Sequence, residues 1–198
     1  MSPDGLIDSV LRKSRESRST QEAFFAENAG RIVACARAMA AAFEQGGRLF
    51  TLGNGGSACD AEHLAVEFMH PVVEKRKALP AVCLASETAL LTAVANDQDF
   101  SLAFAAQLKL LARPGDMALG VSTSGKSASV VRALRAAREM GLLTIAFSGR
   151  DGGALADGCD HCFVVPSFNI HRIQETHVAL LHVLWDLIHV ARGEEDVL

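Results

Sequence analysis

Two chemically useful side chains, His63 and Glu67, stand four positions apart in a segment that follows a glycine-rich turn. On a helix of about 3.6 residues per turn, positions i and i+4 lie roughly 40° apart, so both side chains would point the same way. An imidazole and a carboxylate in this arrangement can transfer protons or bind a metal ion. The spacing therefore predicts an acid-base or metal site on this helix.

Gln174 and His182 lie in the long helix predicted near the end of the chain. Eight positions place them about 80° apart around a helix, so both can border one pocket. With His63 and Glu67 they form a set of two imidazoles, one carboxylate and one amide. Such a set could bind zinc or supply a general base and a general acid. We interpret His189, in the apolar run further along, as a core or helix-interface histidine.

The turn before the helix of His63 reads Gly-Asn-Gly-Gly-Ser at positions 53–57. Its glycines permit positive φ angles and a close approach of the backbone to a ligand. Ser57 is predicted to cap the helix that follows. The free N–H groups of the turn and the positive end of the helix dipole predict a site for an anion such as a phosphate ester.

A second turn, at positions 120–127, matches the pattern G-x-x-x-x-G-K-S of nucleotide hydrolases. Those proteins also need an aspartate at the end of a hydrophobic strand to hold magnesium, and none of the other predicted strands ends in one. We therefore predict a sugar phosphate held by neutral hydroxyl donors, with Lys126 exposed to solvent. The donors are Ser122, Thr123, Ser124 and Ser127.

Strands and helices alternate along most of the chain and must position both turns. The strands are predicted at 48–52, 81–84, 116–121, 142–147 and 161–165, and the helices between and after them at 57–69, 87–94, 100–112, from the second turn to 140, and 170–191. Alternation predicts parallel pairing with helices on both faces, which is an α/β fold built as a three-layer αβα sandwich. Ligands bind such sheets at the carboxyl ends of the strands, where both turns fall.

Two further helices are predicted before the first strand, at 5–26 and 29–45. The first has an incomplete apolar stripe, and the second is rich in alanine and ends at a glycine pair. Both are expected to pack against something larger, including a partner subunit. The whole chain, 1–198, is predicted to be one domain, with a helical segment at 1–46 and an αβα core at 47–198.

Composition and charge exclude several classes of protein. The net charge of −4 argues against a nucleic-acid binder. No apolar run approaches the roughly 20 residues of a membrane span, and the N-terminus lacks the layout of a signal peptide, so a cytoplasmic protein is expected.

The chain has five cysteines, an odd number, and Cys159 and Cys162 form a C-x-x-C pair. Such a pair can be redox-active or half of a zinc site. Because a second pair with matching spacing is missing, we predict free, mostly buried thiols instead.

These motifs, in this order and at closely similar spacing, resemble the phosphoheptose isomerase family of the sugar isomerase (SIS) fold, which is flavodoxin-like. The resemblance covers nearly the whole chain. It is carried by the turn at 53–57, His63 with Glu67, Asn96 with Asp97, the turn at 122–127, and Arg172-Ile-Gln-Glu175 followed by His182.

The resemblance implies a homotetramer with active sites between subunits. Its reaction would convert sedoheptulose 7-phosphate to a glycero-manno-heptose 7-phosphate, the first step towards nucleotide-activated heptose for surface glycoconjugates such as lipopolysaccharide. By position, Glu67 would be the base that moves a proton between C1 and C2 through an enediol. His182 would be the acid that serves the carbonyl oxygen.

The resemblance also implies one zinc ion per subunit, bound by His63, Glu67, Gln174 and His182. A carboxylate on zinc is a poorer base, so the metal and base roles of Glu67 compete, and the sequence leaves both open. The implied substrate-binding residues are Asn54, Gly55, Gly56, Ser57, Glu67, Asn96, Asp97, Ser122, Thr123, Ser124, Ser127 and Gln174.

The sequence departs from the family pattern at Pro71, where relatives commonly carry an arginine near the phosphate, and at His171. Neutralisation of the phosphate is then expected from the basic run Lys75, Arg76 and Lys77, or the substrate is another ketose phosphate. A third alternative is a non-catalytic SIS protein of the kind that associates with the bacterial replication initiator. That relative lacks the acid and the histidine found here at Glu67 and His182, so an isomerase is favoured.

Overall fold

A five-stranded parallel sheet lies at the centre of the fold, in a computed structural model that describes residues 3–72 and 76–196. The strand order is β2-β1-β3-β4-β5. The strands are β1 Leu49–Gly53, β2 Ala81–Cys83, β3 Met117–Ser122, β4 Leu143–Gly149 and β5 His161–Val165. This order is that of the flavodoxin-like, doubly wound sheets. The predicted fold class is confirmed.

Helices cover both faces of the sheet. They are α1 Pro3–Glu44, α2 Gly56–Met69, α3 Thr88–Asp97, α4 Ala103–Leu111, α5 Ala128–Glu139 and α6 Ile170–Ala191. One hydrophobic core forms beneath α1, α2 and α6, where Phe24, Phe68 and Leu181 are fully buried. The other forms beneath α4 and α5, where Phe104 and Leu134 are buried. β1 and β3 are buried along their whole length between the two cores.

The long first helix, α1, differs from the two helices that we predicted. Asn28 lies where a break was expected, but it is buried and its Nδ2 donates to the carbonyl of Phe24 at 2.9 Å, within the same helix. Because the Asn28 amide is satisfied within the helix, the chain continues past it as one helix. It stops before Gly46, whose φ of 84° terminates helices well.

Two predicted helices have shifted ends. The helix predicted at 87–94 continues to Asp97, at the end of α3. The helix predicted from residue 100 begins as a 3₁₀ turn, Phe100–Leu102, because the Asp99 side chain accepts the Ser101 N–H at 2.7 Å and tightens the chain there.

Several large apolar side chains are exposed to solvent in a single copy of the chain. In the first turns of α1, Leu6, Ile7 and Val10 are 58%, 59% and 65% exposed. In α3, Val94 is the buried residue. None of the helices in the described part of the chain is long and apolar enough to cross a membrane.

Candidate active site

The turns after β1 and β3 lie side by side at the carboxyl end of the sheet. β1 pairs with β2 on one side and with β3 on the other, so the strand order reverses here. Asn54 Nδ2 donates to Ser129 Oγ at 2.9 Å and joins the turn after β1 to the first turn of α5, which follows the turn after β3. A crevice at such a reversal is the usual ligand site of an open parallel sheet.

The glycine turn is built differently from our prediction. Gly55, with a φ of 55°, is the N-cap of α2, and Ser57 lies buried inside the first turn of the helix. The N–H of Ser57 donates to Asn54 O at 3.1 Å, and that of Ala58 to Gly55 O at 2.9 Å. The predicted serine cap was therefore wrong, because a left-handed glycine makes the entry into the helix and occupies two of the N–H groups expected to be free.

Gln174, near the start of α6, lies against this turn. A Cβ atom at Gly56 would come within 2.2 Å of Gln174 Nε2, so the amide occupies the space that any other residue at 56 would need. The structure thus brings Gln174 to the glycine turn.

His63, Glu67 and His182 come together where α2 and α6 face each other. His63 Nε2 lies 3.2 Å from Glu67 Oε1 and 3.4 Å from His182 Nε2. The two imidazole rings meet edge to face, with 4.9 Å between their centroids. One ligand atom from each of the three residues lies within 4.8 Å of the others. His63 and Glu67 are half-buried and His182 is exposed.

This cluster suits a divalent cation or a shared proton. Two Nε2 atoms that face each other at hydrogen-bond distance need a proton or a cation between them, and the carboxylate supplies compensating negative charge. Imidazole nitrogens and a carboxylate oxygen are ligands that zinc accepts. His63, Glu67 and His182 therefore fit zinc, as they fit proton transfer.

Asp60 is a titratable neighbour that we did not predict to have a role in the site. It stands three positions before His63, on the same side of α2, and its Oδ2 is buried without a hydrogen-bond partner among the described residues. Burial raises the pKa of Asp60 to about 6, against the opposing effect of the nearby His63. The i, i+3 spacing was the signal that could have found it.

Hydroxyl groups line the second turn. Ser122 Oγ donates to Ser127 Oγ at 3.1 Å, and Ser124 Oγ accepts the N–H of Lys126 at 3.2 Å. α5 begins directly afterwards, and the first N–H groups of a helix lack partners within it, so they face this turn. Lys126 is exposed, as predicted, and its Nζ lies 3.5 Å from a carboxylate oxygen of Asp151.

The side chains of Asn96 and Asp97 hydrogen-bond to each other and, in the described part of the chain, not to either turn. They end α3, both are exposed, and Asn96 Nδ2 donates to Asp97 Oδ1 at 2.7 Å. Within one chain they present this pair to solvent.

The basic run after α2 does not act as predicted. The side chain of Arg76 is 2% exposed, pairs with Asp186 and lies over the ring of Trp185 at 4.6 Å. It is committed to the core, so assigning it to the phosphate was wrong. Lys77 is exposed, and Lys75 lies outside the described residues.

The other departure, His171, is exposed in the first turn of α6, where its N–H donates to Asn169 Oδ1 at 3.0 Å. The neighbouring Arg172 donates to the carbonyl of Lys13 at 2.5 Å and to Glu175 at 2.7 Å. Arg172 thus ties α6 to α1.

The C-x-x-C pair consists of free thiols, as predicted. Burial raises the pKa of Cys159 to about 12 and that of Cys162 to about 11. Because the thiolate is the reactive form, neither thiol is a good nucleophile or ligand near neutral pH.

Comparison with known proteins agrees with this geometry. The SIS domain model matches residues 14–149. Together with the sheet order and the two turns, that match defines an SIS-domain protein.

Similarity to individual proteins shows which kind of SIS-domain protein this is. A phosphoheptose isomerase of Roseiflexus sp. is 47% identical over 164 residues, 83% of each chain, and one of Thermodesulfovibrio yellowstonii is 42% identical over 193 residues, 97% of this chain and 93% of the relative. The structure of phosphoheptose isomerase from Neisseria gonorrhoeae superposes with a TM-score of 0.86 at 36% identity, covering 92% of this chain and 98% of that one. The chain belongs to the phosphoheptose isomerase family.

Proposed function

We propose that this chain interconverts D-sedoheptulose 7-phosphate and D-glycero-D-manno-heptose 7-phosphate. The observation that carries the proposal is the convergence of Glu67, His63 and His182, with ligand atoms within 4.8 Å of one another, on the helix α2 that begins at the glycine turn and on α6. Membership of the phosphoheptose isomerase family supports the choice of substrate.

Glu67 acts as the base in this proposal. Its carboxylate removes a proton from C1 of the ketose while His182 protonates the carbonyl oxygen on C2, giving an enediol. Glu67 then returns its proton to C2, and His182 accepts the hydroxyl proton of O1 as the aldehyde forms. A positioned acid and base together lower the barrier because neither the carbanion nor the alkoxide has to form alone.

The second turn, at 120–127, is called the hydroxyl turn from here on. It holds the phosphate together with the N-terminus of α5, and the glycine turn at 53–57 lines the sugar. A phosphate there is held by neutral donors and by the helix dipole. The proposed contacts are those of Ser57, Ser122, Thr123, Ser124 and Ser127 to phosphate and hydroxyl groups, and those of Asn54, Gly55, Gly56, Asn96, Asp97 and Gln174 to the sugar.

We further propose that His63, Glu67, Gln174 and His182 hold one zinc ion. When bound, zinc would polarise the carbonyl oxygen and favour the enediolate. Three of these residues converge, and Gln174 lies against Gly56 at the start of α2, the helix that carries His63 and Glu67.

The working form is proposed to be a homotetramer in the cytoplasm, whose product feeds heptose-containing glycoconjugates such as lipopolysaccharide. The exposed apolar side chains Leu6, Ile7 and Val10 support burial between subunits. The outward-facing Asn96 and Asp97 support a site that a second subunit completes.

The test is a proton NMR time course of the purified protein with sedoheptulose 7-phosphate. It is run on the protein as isolated, after chelation, and after return of zinc. We expect new aldose anomeric signals, and we expect Glu67→Gln to slow their appearance about 10²- to 10⁴-fold, the usual contribution of a general base.

Glu62→Gln is the matched control, since Glu62 is an exposed carboxylate on the same helix that accepts a hydrogen bond from Ser86 at 3.3 Å. It should keep wild-type turnover. If no aldose appears in any condition, this substrate is wrong, and other ketose phosphates follow before a binding-only role. A turnover unaffected by Glu67→Gln would remove Glu67 from the role of base.

A further inference from the structure

Trp185 lies on the same face of α6 as His182. The two are three positions apart, and Asp186 follows at the fourth, so all three side chains point from α6 to the same side. His182 extends into the cluster with His63, where their Nε2 atoms are 3.4 Å apart. Trp185 therefore lies about one helical turn after His182, which is proposed to touch the substrate.

The indole of Trp185 reaches the backbone of Glu67. Its Nε1 donates to the Glu67 carbonyl oxygen at 2.9 Å, and Trp185 is 3% exposed. Glu67 lies in the last turn of α2, which ends at Met69. Carbonyls in a last turn have no partner within their helix, so this one takes its hydrogen bond from α6.

The ion pair between Arg76 and Asp186 packs against the face of the indole ring. The guanidinium of Arg76 lies over the Trp185 ring at 4.6 Å and donates to the carboxylate of Asp186. Since the Arg76 side chain is 2% exposed and paired with Asp186, the space over the ring is filled and the ring has little room to tilt. Trp185 is thus a rigid spacer between the two helices.

We propose that Trp185 is a positioning residue, which fixes the end of α2 so that the Glu67 carboxylate stays at its working distance from His182. The inference rests on the proposed function for the role of Glu67. Misplacing a reacting group by about 1 Å can cost on the order of 10²-fold in rate, so a single hydrogen bond to the backbone of the base can matter.

The test exploits the fact that Trp185 is the only tryptophan of the chain. Replacing it biosynthetically with β-(3-benzothienyl)alanine keeps the ring shape and exchanges only the N–H for sulfur. Trp185→Phe is the genetic counterpart. We expect kcat for sedoheptulose 7-phosphate to fall about 10- to 100-fold in both, with KM changed less than about twofold, because the phosphate turns are untouched.

Ile188→Val is the matched control, a buried residue of the same helix that belongs to the core. It should keep kcat. The ¹⁵N signals of the His63 and His182 imidazoles, recorded without substrate, provide a second readout, which should shift in the benzothienyl protein and stay in place in Ile188→Val.

If the wild type does not isomerise the sugar, the proposed function fails, while the imidazole signals still decide whether Trp185 sets the geometry of the cluster. Wild-type kcat with unmoved imidazole signals in the benzothienyl protein would overturn the inference. Equal changes in the benzothienyl protein and in Ile188→Val would also overturn it, because they would indicate a general effect on packing.

Discussion

Asn54 Nδ2 donates to Ser129 Oγ across 2.9 Å, and this hydrogen bond joins the turn after β1 to the first turn of α5. Ser129 itself is buried. The two parts of the proposed substrate site, sugar and phosphate, therefore keep a set separation.

Ser129→Ala should loosen this separation. Loss of one hydrogen bond lowers the free energy of unfolding by about 1 kcal/mol and should raise KM for the sugar phosphate about two- to tenfold, with kcat nearly unchanged. Steady-state kinetics and urea unfolding measure both. Ser19→Ala, at an exposed serine hydroxyl that bonds to Glu16 O within α1, is the control and should leave KM alone. A lower kcat at constant KM in Ser129→Ala would contradict a role in substrate placement.

His177 should make the fold sensitive to acid. It is fully buried, its Nε2 donates to Ser148 O at 2.9 Å, and burial lowers its pKa from 6.5 to about 4. The unfolded chain therefore binds a proton more readily between these values. The contribution of His177 to the free energy of unfolding should be most favourable above pH 6.5 and fall by about 3 kcal/mol as the pH drops to 4.

His177→Gln keeps a donor for Ser148 O but does not titrate. Denaturant unfolding at pH 7.5 and at pH 4.5 should show a smaller loss for this variant than for the wild type. Other groups titrate in both proteins, so the difference between the two losses isolates His177. Identical losses would show that this imidazole does not titrate as its burial implies.

The Arg76 and Asp186 pair should be costly to break. Both side chains are largely buried, so Arg76→Met leaves an uncompensated carboxylate and should lower the free energy of unfolding by about 3 kcal/mol. The double variant Arg76→Met/Asp186→Leu should regain much of it, because no buried charge remains. Thermal unfolding of the wild type, the single variant and the double variant measures these differences.

Lys126→Met removes an ion pair that is about two-thirds exposed, with side chains 64% and 63% accessible, and it should leave stability unchanged. A single Arg76→Met variant as stable as the Lys126→Met control would show that the buried pair contributes nothing.

Gly125 and Gly30 should respond oppositely to alanine. Gly125 has a φ of 63°, and a Cβ there would lie 1.9 Å from the Gly152 carbonyl oxygen, so Gly125→Ala should cost about 2 kcal/mol or more and distort the hydroxyl turn. Gly30 lies within α1 with nothing in reach of a Cβ, so Gly30→Ala should stabilise by about 0.5–1 kcal/mol. The midpoints of denaturant unfolding of the two variants measure these changes. Similar midpoints would show that the backbone at Gly125 does not require glycine.

Much of the fold was predictable because its signals are local. Apolar runs bounded by glycine and serine marked the strands, and the i, i+4 spacing of His63 and Glu67 placed both on one face of α2. Gly55 as helix cap was missed because several glycines in the turn could take a positive φ, and only the backbone path decides among them.

The contacts behind the cluster had no local signal. Arg76 pairs with Asp186 across 110 positions of sequence, and the run that contains Arg76 reads as exposed charge. Likewise, the continuity of α1 depends on Asn28 bonding back to Phe24, whereas the same residue type often ends a helix.

The two outer strands of the sheet have a consequence for association in solution. β2, at one edge, is three residues long. At the other edge, Arg31 of α1 donates to the carbonyl of Cys162 in β5 at 2.5 Å and covers a group that a foreign strand would need. A short edge and a covered edge both disfavour strand-by-strand aggregation, so copies of this protein are expected to meet through their helices and not through their sheets.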